Sequence, residues 1–427
     1  MVIVFVLVGL LALAAVAGLY WYVWRRLVRD TTSGPGLARR AGTVVFVAGP
    51  VLMIAAVAAE RAGAPFRLQQ VLAWPGFLWM ALSIYLLLGV VAGEVVRPLL
   101  RRVMERRAAP SAAVPQPAPV RHPAPVPHPE PVPTGAAAPQ EPSPAEPTRP
   151  VTTPSRRLFV SRAVGGAAAA VALGTVGYGT YGVLRGPRVK RVTVPLAKLP
   201  RSAHGYRIAV VSDIHLGPTL GRDFCQRVVD TINSTQPDLI AVVGDLVDGS
   251  VKDLGPAAAP LARLRARHGS YFVTGNHEYY SGAAQWVREV RELGLHPLEN
   301  ARTEMAGFDL AGVNDVAGES EGHGPDFGRA LGDRDTARAV VLLAHQPVQI
   351  HDAVKHGVDL QLSGHTHGGQ LWPGNYLAEL ANPTVAGLER YGDTQLYVSR
   401  GAGAWGPPTR VGAPSDITVV ELASPQA

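Results

Sequence analysis

The feature that most constrains this chain is an uncharged apolar run from Met1 to Trp24, which is long enough to cross a hydrocarbon core of about 30 Å as one helix. Two further apolar segments follow, at Thr43–Ala59, which Gly49-Pro50 interrupts, and at Phe77–Val96. Buried helices of a soluble protein are the alternative interpretation, but arginines flank these segments as they flank membrane spans. We therefore predict a three-span transmembrane region over residues 1–107.

Two arginine clusters indicate how these spans are oriented. One cluster follows the first segment and the other follows the third, whereas the 60–70 loop carries only Arg61 and Arg67. Because Lys and Arg concentrate in cytoplasmic loops, we expect both clusters inside, and the 60–70 loop and the N-terminus outside. The clusters are Arg25, Arg26, Arg29, Arg39 and Arg40, and Arg97, Arg101, Arg102, Arg106 and Arg107.

Residues 108–154 contain 16 prolines, many of them alternating, as in Pro123-Ala-Pro-Val-Pro127. Alternating proline favours extended polyproline II, and such a segment cannot bury a core. We predict a Pro-rich disordered linker. A ligand for a proline-reading domain is the alternative.

Residues 155–187 begin with Ser155-Arg-Arg-Leu-Phe-Val160 and continue as Ala- and Gly-rich apolar sequence. The block resembles a twin-arginine export signal, except that Ser161 stands where such signals often have Lys; an ordinary fourth span with basic flanks is the alternative. No small-x-small cleavage site closes the segment, so we expect a retained anchor. Because the linker is predicted to be cytoplasmic, a fourth span would deliver residues 188–427 to the outer face.

The basic excess of the chain belongs to its N-terminal part. Residues 1–187 hold 18 of the 40 Lys and Arg residues but only 7 of the 33 Asp and Glu residues, which leaves residues 188–427 with a net charge of −4. A nucleic-acid partner would be expected to leave a basic footprint there, so we expect none. The single cysteine, Cys225, excludes an intramolecular disulfide framework and a Cys-rich zinc module.

From about Val189, apolar runs of strand length alternate with helical stretches, which indicates an α/β domain. Five of these runs end in polar residues of the metal-ligand type. Sites in open α/β sheets form outside the carboxyl ends of the strands, so five such ends predict one common site. The five ends are Asp213-Ile-His215, Gly244-Asp245, Gly275-Asn276-His277-Glu278, His345 and Gly364-His365-Thr-His367.

The residue types indicate the chemistry of that site. Asp, His and Asn are ligands for one or two borderline-to-hard divalent ions, and no thiolate is involved. Two ions about 3.5–4 Å apart need one ligand that touches both, which a carboxylate can do, and Asp245 is the natural bridge. Gly244, Gly275 and Gly364 each precede a ligand, where we expect a tight bend that needs a residue without Cβ.

In this order, each block after an apolar strand, the five blocks resemble the signature of the calcineurin-like metallophosphoesterases. The resemblance covers residues ~200–427, and the stretches around Ser363–Gln370 and Tyr397–Gly401 resemble a membrane-associated bacterial branch of that family. It implies a four-layer α-β-β-α sandwich, two central sheets flanked by helices, as a catalytic domain over residues 188–427.

Carried over by position, the resemblance implies two divalent ions, with Mn, Zn and Fe as candidates. His277 matches a family histidine that is not a ligand and that protonates the leaving oxygen or stabilises the transition state. Arg400 and Arg410 are candidate phosphate contacts, and Asp248 and Glu278 are candidates for orienting the ligands. The first ion would be held by Asp213, His215, Asp245 and His367, and the second by Asp245, Asn276, His345 and His365.

We therefore expect a membrane-anchored, metal-dependent hydrolase that cleaves a phosphoester or a pyrophosphate at the extracytoplasmic face. Tethering at the bilayer favours a phospholipid or lipid-linked substrate, and the branch that the chain resembles includes enzymes that cleave a UDP-diacylglucosamine pyrophosphate. The twin-arginine export machinery is a further expected partner. A metal-dependent nucleotidase or nuclease would use the same ligands and is one alternative. A non-catalytic metal-binding membrane sensor is the other, and it predicts no loss of function for His277→Asn.

Overall fold

The computed structural model of the protein describes residues 2–107 and 156–427. The predicted Pro-rich linker over residues 108–154 lies outside the described residues, as does Ser155 at the start of the twin-arginine-like block.

Among the described residues of the N-terminal part, four helices are each long and apolar enough to cross a membrane. A π-helical turn, Arg25–Arg29, extends the first of them. The helices are α1 (Val2–Trp24), α2 (Leu37–Arg61), α3 (Phe66–Arg107) and α4 (Arg156–Leu184).

Helix α2 runs without a break through Gly49-Pro50, so the expected interruption does not occur. Proline removes only one backbone donor, and packing against neighbouring helices makes this tolerable in membrane helices. Gly49 is the point at which the indole of Trp79 from α3 packs, because a Cβ added there would collide with that ring. The Gly-Pro pair is therefore a close packing site inside a longer helix.

Small residues allow α3 and α4 to approach each other closely. A Cβ added to Gly89 would lie 3.1 Å from Cβ of Ala168, and one added to Gly93 would lie 2.6 Å from Cγ1 of Val164. These pairs run in opposite directions along the two helices, so α3 and α4 are antiparallel.

Several charged residues of the membrane helices gather at one end of the bundle. Arg26 lies 2.9 Å from Glu94, and Arg97 lies 2.8 Å from the same carboxylate. Arg162 of α4 donates a hydrogen bond to the carbonyl of Thr31, in the loop between α1 and α2, at 2.9 Å. Arginines that the sequence assigns to the same side of the membrane thus lie at the same end of the helix bundle.

Residues from Arg188 onward form two six-stranded sheets that pack face to face. The strands are β1 (Arg188–Pro195), β2 (Tyr206–Val211), β3 (Leu239–Val243), β4 (Ser270–Val273), β5 (His296–Pro297), β6 (Ala301–Glu304), β7 (Phe308–Gly312), β8 (Ala339–Leu343), β9 (Leu360–Ser363), β10 (Gly387–Tyr391), β11 (Thr394–Val398) and β12 (Asp416–Ala423). The first sheet has the order β1-β12-β2-β3-β4-β5, and the second has the order β10-β11-β9-β8-β7-β6. In the centre of each sheet the strands are parallel, β2 with β3 and β4, and β7 with β8 and β9.

Helices cover the outer face of both sheets, which gives the predicted four layers. Successive strand residues point to opposite faces. In β3, Ala241 and Val243 therefore pack between the sheets, while Ile240 and Val242 pack against helices. The helices are α5 (Arg222–Ser234), α6 (Val251–Ala258), α7 (Asn276–Ser281), α8 (Ala283–Glu292), α9 (Phe327–Leu331), α10 (Ile350–Lys355) and α11 (Gly374–Ala381). Helices α5, α6 and α8 cover the first sheet, and α9 and α10 cover the second.

The sandwich contacts the membrane helices at the end of the bundle away from Arg97. Phe66, at the start of α3, and Leu184, at the end of α4, pack against the outer core of the first sheet. The hydroxyls of Thr180 and Thr409 share a hydrogen bond of 2.8 Å. The membrane helices and the sandwich are therefore packed together and not merely joined by the chain.

Candidate metal centre

The predicted site residues occupy the loops that follow five strands, three in the first sheet and two in the second. Strands β2, β3 and β4 lead into Asp213 and His215, Asp245, and Asn276 and His277, whereas β8 and β9 lead into His345, and His365 and His367. The site lies where the carboxyl ends of both sheets meet.

Five of the seven predicted ligands have a left-handed backbone conformation that residues other than Gly seldom adopt. Their φ angles are 52° at Asp213, 48° at His215, 52° at Asp245, 72° at His365 and 53° at His367. Each such residue costs about 1–3 kcal/mol and persists only where the surrounding structure fixes it. Part of the free energy of folding therefore offsets the cost of the backbone conformations that direct these side chains toward one another.

One group of donor atoms consists of Asp213, His215 and His367, all buried. Nε2 of His215 lies 3.0 Å from Nε2 of His367. Oδ1 of Asp213 lies 3.4 Å from Nε2 of His367 and 4.0 Å from Nε2 of His215. These are the residues assigned to the first ion, apart from the bridging carboxylate.

A second group consists of Asp245, His345 and His365. Oδ1 of Asn276 lies 3.0 Å from Nδ1 of His365, which adds the fourth residue assigned to the second ion. Asp245 lies between the two groups, with Oδ2 at 3.1 Å from Nε2 of His345 and 3.8 Å from Nε2 of His215. A carboxylate in this position is within reach of ions in both groups.

These donors fit divalent ions. Nδ1 of His345 lies 2.9 Å from the carbonyl of Val243, so Nδ1 carries a proton, and Nε2 faces the Asp245 carboxylate at 3.1 Å. Nε2 has no hydrogen-bond partner among the described residues, and a divalent ion bound there would take the place of a second proton on the ring. Burial would lower the pKa of His345, but the charges of Asp245 and Asp213 raise it well above its usual value, so the cluster attracts positive charge.

His277 lies beside this centre without belonging to either group. Its Nδ1 is 2.7 Å from Oδ1 of Asp248, which also lies 3.0 Å from Nδ1 of His215. Burial would lower the pKa of His277, but the hydrogen bond and charge of Asp248 outweigh it and raise the pKa to about 9. Burial would likewise raise the pKa of Asp248, yet the two imidazoles hold it at about 2. His277 is therefore held as an imidazolium.

The comparisons with known proteins agree with this arrangement. Residues 206–369 match the family model described as calcineurin-like phosphoesterase. A metallophosphoesterase of Helicobacter pylori is 38% identical over 256 residues, which cover 58% of this chain and 68% of that protein. One from Aquifex aeolicus is 36% identical over 240 residues, or 55% of this chain and 91% of that protein.

The chain belongs to the calcineurin-like phosphoesterase family. Membership of this family agrees with the prediction of a metal-dependent hydrolase of phosphoesters. The chain is also 40% identical over 259 residues to a protein of Danio rerio named transmembrane protein with metallophosphoesterase domain, over 57% of this chain and 59% of that protein. The alignment thus spans about three fifths of the length of that relative.

Glu278 organises two of the loops of this phosphoesterase. Its buried carboxylate accepts hydrogen bonds from the backbone N–H groups of Asp245 at 3.0 Å, Leu246 at 2.7 Å and Gly275 at 2.6 Å. Burial and the charge of Asp245 raise the pKa of Glu278 to about 7. From the sequence, Glu278 and Asp248 could be recognised only as residues close to ligands along the chain. The structure gives each a definite contact, Glu278 with the loops and Asp248 with the imidazoles.

The glycines that precede ligands are needed mainly because atoms of another ligand loop lie too close to leave room for a Cβ. Only Gly244 has a left-handed φ, of 73°, as the expected bend requires. A Cβ added to Gly275 would collide with Oδ1 and the backbone N of Asp245, and one added to Gly364 would collide with Ser212 and Asp213. Two of the three expected bends are therefore positions where two ligand loops touch.

The two candidate phosphate-binding arginines have different surroundings. Arg410 is buried and donates hydrogen bonds to the carbonyls of Gly403 at 2.6 Å and His367 at 3.0 Å, so it supports a ligand loop and is not available to a substrate. Arg400 packs beside Gly368 and is half-buried. Among the described residues it forms no hydrogen bond or ion pair, which leaves its guanidinium available to a phosphate.

Exposed aromatic rings around His277 were not identified from the sequence. Tyr280 and Trp405 lie with their ring centroids 5.4 Å and 5.6 Å from that of His277, and both are more than half exposed. No spacing rule links these two residues, because Tyr280 lies in α7 and Trp405 lies in a loop far along the chain.

Replacement of Gly275 by alanine is expected to weaken metal binding about 10–100-fold, the range found when residues that support metal ligands are changed. The added Cβ would displace the carboxylate of Asp245. The measurement is metal content after dialysis against a buffered metal solution, with circular dichroism as the test of folding. Gly221→Ala is the control, since its Cβ would meet no atom within 4 Å. Equal metal content in both variants would contradict the conclusion that the close contact between Gly275 and Asp245 supports metal binding.

Proposed function

We propose that the protein is a two-metal phosphoesterase whose active site is built from the two donor groups that meet at Asp245. The observation that carries this is the convergence of donor atoms within 4.8 Å of one another in each group, with the Asp245 carboxylate between them. The nitrogen and oxygen donors suit Mn²⁺, Zn²⁺ or Fe²⁺. The ligands proposed are Asp213, His215, Asp245 and His367 for one ion, and Asp245, Asn276, His345 and His365 for the other.

Two divalent ions bound there would activate a water for attack on phosphorus and neutralise charge on the phosphoryl oxygens. His277 contributes the proton. Its Nδ1 is held by Asp248, so its Nε2–H is the group free to face the leaving oxygen as the bond to phosphorus breaks. Asp248 also orients His215 through Nδ1, so one carboxylate sets the direction of both imidazoles.

Replacement of His277 by asparagine is expected to lower kcat about 10²–10⁴-fold, the usual contribution of a positioned general acid. Metal content should stay at the wild-type value, because His277 is not among the proposed ligands. The measurement pairs hydrolysis of bis(p-nitrophenyl) phosphate with metal analysis of the full chain. His268→Asn, a change at an exposed histidine stacked on Tyr206, is the matched control. Unchanged kcat in His277→Asn would contradict its role as the general acid, and bound metal without any turnover in the wild-type protein would favour the metal-binding sensor.

We further propose that α1–α4 cross the membrane and that the sandwich lies on the extracytoplasmic side. Two observations support this topology. The arginines near Arg26, Arg97 and Arg162 share one end of the bundle, which the positive-inside rule assigns to the cytoplasm. The sandwich contacts the other end, through Phe66 and Leu184.

Labelling with a membrane-impermeant maleimide on intact cells tests this topology. Cys225 is buried, so an introduced cysteine would be the reactive thiol. Gln426→Cys, in the sandwich, is expected to react from outside, whereas Ser33→Cys, between α1 and α2, should react only after permeabilisation. Both positions are exposed in the structure. The reverse pattern would contradict the proposed orientation.

The substrate and the export route complete the proposal. Anchoring at the bilayer raises the local concentration of lipid, so a phospholipid or lipid-linked phosphoester or pyrophosphate is the proposed substrate class. Arg156 and Arg157, exposed at the start of α4, would route the domain through the twin-arginine machinery. The close packing of α4 on α3 at Gly89 and Gly93 supports a retained anchor.

A further inference from the structure

Helix α11 has no buried residue, although its sequence is largely apolar. Tyr376 is 58% exposed, Leu377 72% and Leu380 85%, and Trp372 just before the helix is 49% exposed. Single exposed apolar residues are common on soluble proteins, but a cluster of large ones indicates a surface that contacts something. We call Trp372, Tyr376, Leu377 and Leu380 the α11 surface.

The α11 surface lies on one side of the helix. At about 100° per residue, Tyr376, Leu380 and Leu377 fall within an arc of about 100°. The side toward the domain carries Asn375, whose backbone packs against Gly369. Glu379, the helix's single charge, lies outside the apolar arc. The helix therefore presents a continuous apolar face away from the sandwich.

The segment that leads into α11 is attached to the membrane helices. The hydroxyl of Tyr85 in α3 donates a hydrogen bond to the carbonyl of Trp372 at 3.0 Å. Leu371, the preceding residue, packs with Val411 against the core of the helix bundle, which contains Tyr85 and Val176. The α11 surface is thus continuous with the surface of helices that cross the bilayer.

Helix geometry gives the depth of this contact. At about 1.5 Å per residue, α3 rises about 18 Å from Arg97 to Tyr85, and α4 rises about 26 Å from Arg162 to Gly179. Gly179 accepts the backbone N–H of Arg410 at 3.3 Å. With the arginines at the inner boundary of a core about 30 Å thick, these contacts lie at the outer leaflet.

The α11 surface is also close to the metal centre. The short turn His367–Gly369 begins with a proposed ligand, and Asn375 of α11 packs on Gly369 at its end. The side chain of Gln370 donates to the carbonyl of Trp405 at 2.9 Å, and the ring of Trp405 faces His277. Only a few residues separate the apolar face from the groups proposed to act on phosphate.

We propose that α11 inserts its apolar face into the outer leaflet of the bilayer that α1–α4 cross, and that it holds a lipid headgroup beside the metal centre. The partner is the lipid surface itself. The proposal rests on the proposed function for its orientation and substrate class. It gives the enzyme a direct path from the leaflet to the site, without extraction of the lipid into water.

Depth-dependent fluorescence quenching tests the insertion without reference to activity. The full chain carrying Leu380→Cys, labelled with an environment-sensitive fluorophore, is placed in nanodiscs of phosphatidylcholine and phosphatidylglycerol. A fraction of the phosphatidylcholine carries a nitroxide at carbon 5 of its acyl chain. Buried Cys225 leaves the introduced thiol as the labelling site. Val354→Cys, exposed on α10, is the matched control.

We expect quenching at position 380 to exceed that at position 354 several-fold. Equal quenching at the two positions would overturn the proposal. A second copy of the chain that covered α11 would give this result, because it would keep position 380 out of the lipid. This result does not depend on turnover, so it separates failure of the docking surface from failure of the proposed function.

A second measurement tests delivery of the lipid. The double variant Leu377→Glu with Leu380→Glu is compared with Val348→Glu with Val354→Glu, two exposed valines at and before α10. We expect the first pair to lower kcat/KM about tenfold or more for a phospholipid in vesicles, because charge disfavours insertion. Hydrolysis of soluble bis(p-nitrophenyl) phosphate should be unchanged. An equal loss on both substrates, or no loss on the lipid, would overturn the delivery role.

Discussion

Asp213 and Asp245 are two buried carboxylates whose charges face each other across one site, and the arrangement of the site follows from the need to balance them. Burial and the charge of Asp245 raise the pKa of Asp213 above its usual range. His345 lies 3.1 Å from Asp245, and the charges of the two carboxylates raise the pKa of this imidazole well above its usual value. Divalent ions would balance the carboxylates more completely than the protons that the imidazoles can carry.

The same constraint explains the residues around the ligands. Glu278 binds three backbone N–H groups of the loops that carry Asp245 and Asn276, which fixes those loops without adding an exposed side chain. Asp248 fixes the rings of His215 and His277. The left-handed conformations of the ligands are maintained because these contacts hold the loops from several directions.

Arg410 extends this support to the membrane helices. Its side chain holds the carbonyl of His367 at 3.0 Å, while its backbone N–H reaches Gly179 of α4 at 3.3 Å. One buried residue therefore connects a proposed ligand loop to a predicted membrane span. This packing fixes the orientation of the site relative to the helix bundle.

The sequence predicted an α/β domain and the set of candidate ligands because strand-length apolar runs and the residues that end them are local features, and the family resemblance implied the four-layer sandwich. Asp213-x-His215 and Gly364-His365-x-His367 can be read without knowing what packs against them. The sequence could not show which ligand loops belong to which of the two sheets, since this depends on which strands pair. The same holds for Gly275 and Gly364, whose importance lies in side chains from distant loops.

Packing also decides the features that were missed. Gly49-Pro50 looks like a break in a helix, and only the indole of Trp79 against Gly49 shows why the helix continues. Helix α11 has an unremarkable composition, and its significance appears only when Trp372 is seen to be bonded to Tyr85. Features of this kind depend on tertiary contacts that no single stretch of sequence contains.

Crystals of the full chain grown with Mn²⁺ and measured at the manganese absorption edge would show whether the site binds two ions that share Asp245. We expect two anomalous peaks about 3.5–4 Å apart, on either side of the Asp245 carboxylate, with His215 and His367 at one and His345 and His365 at the other. A single peak, or two peaks that do not share Asp245, would contradict the proposed two-metal site.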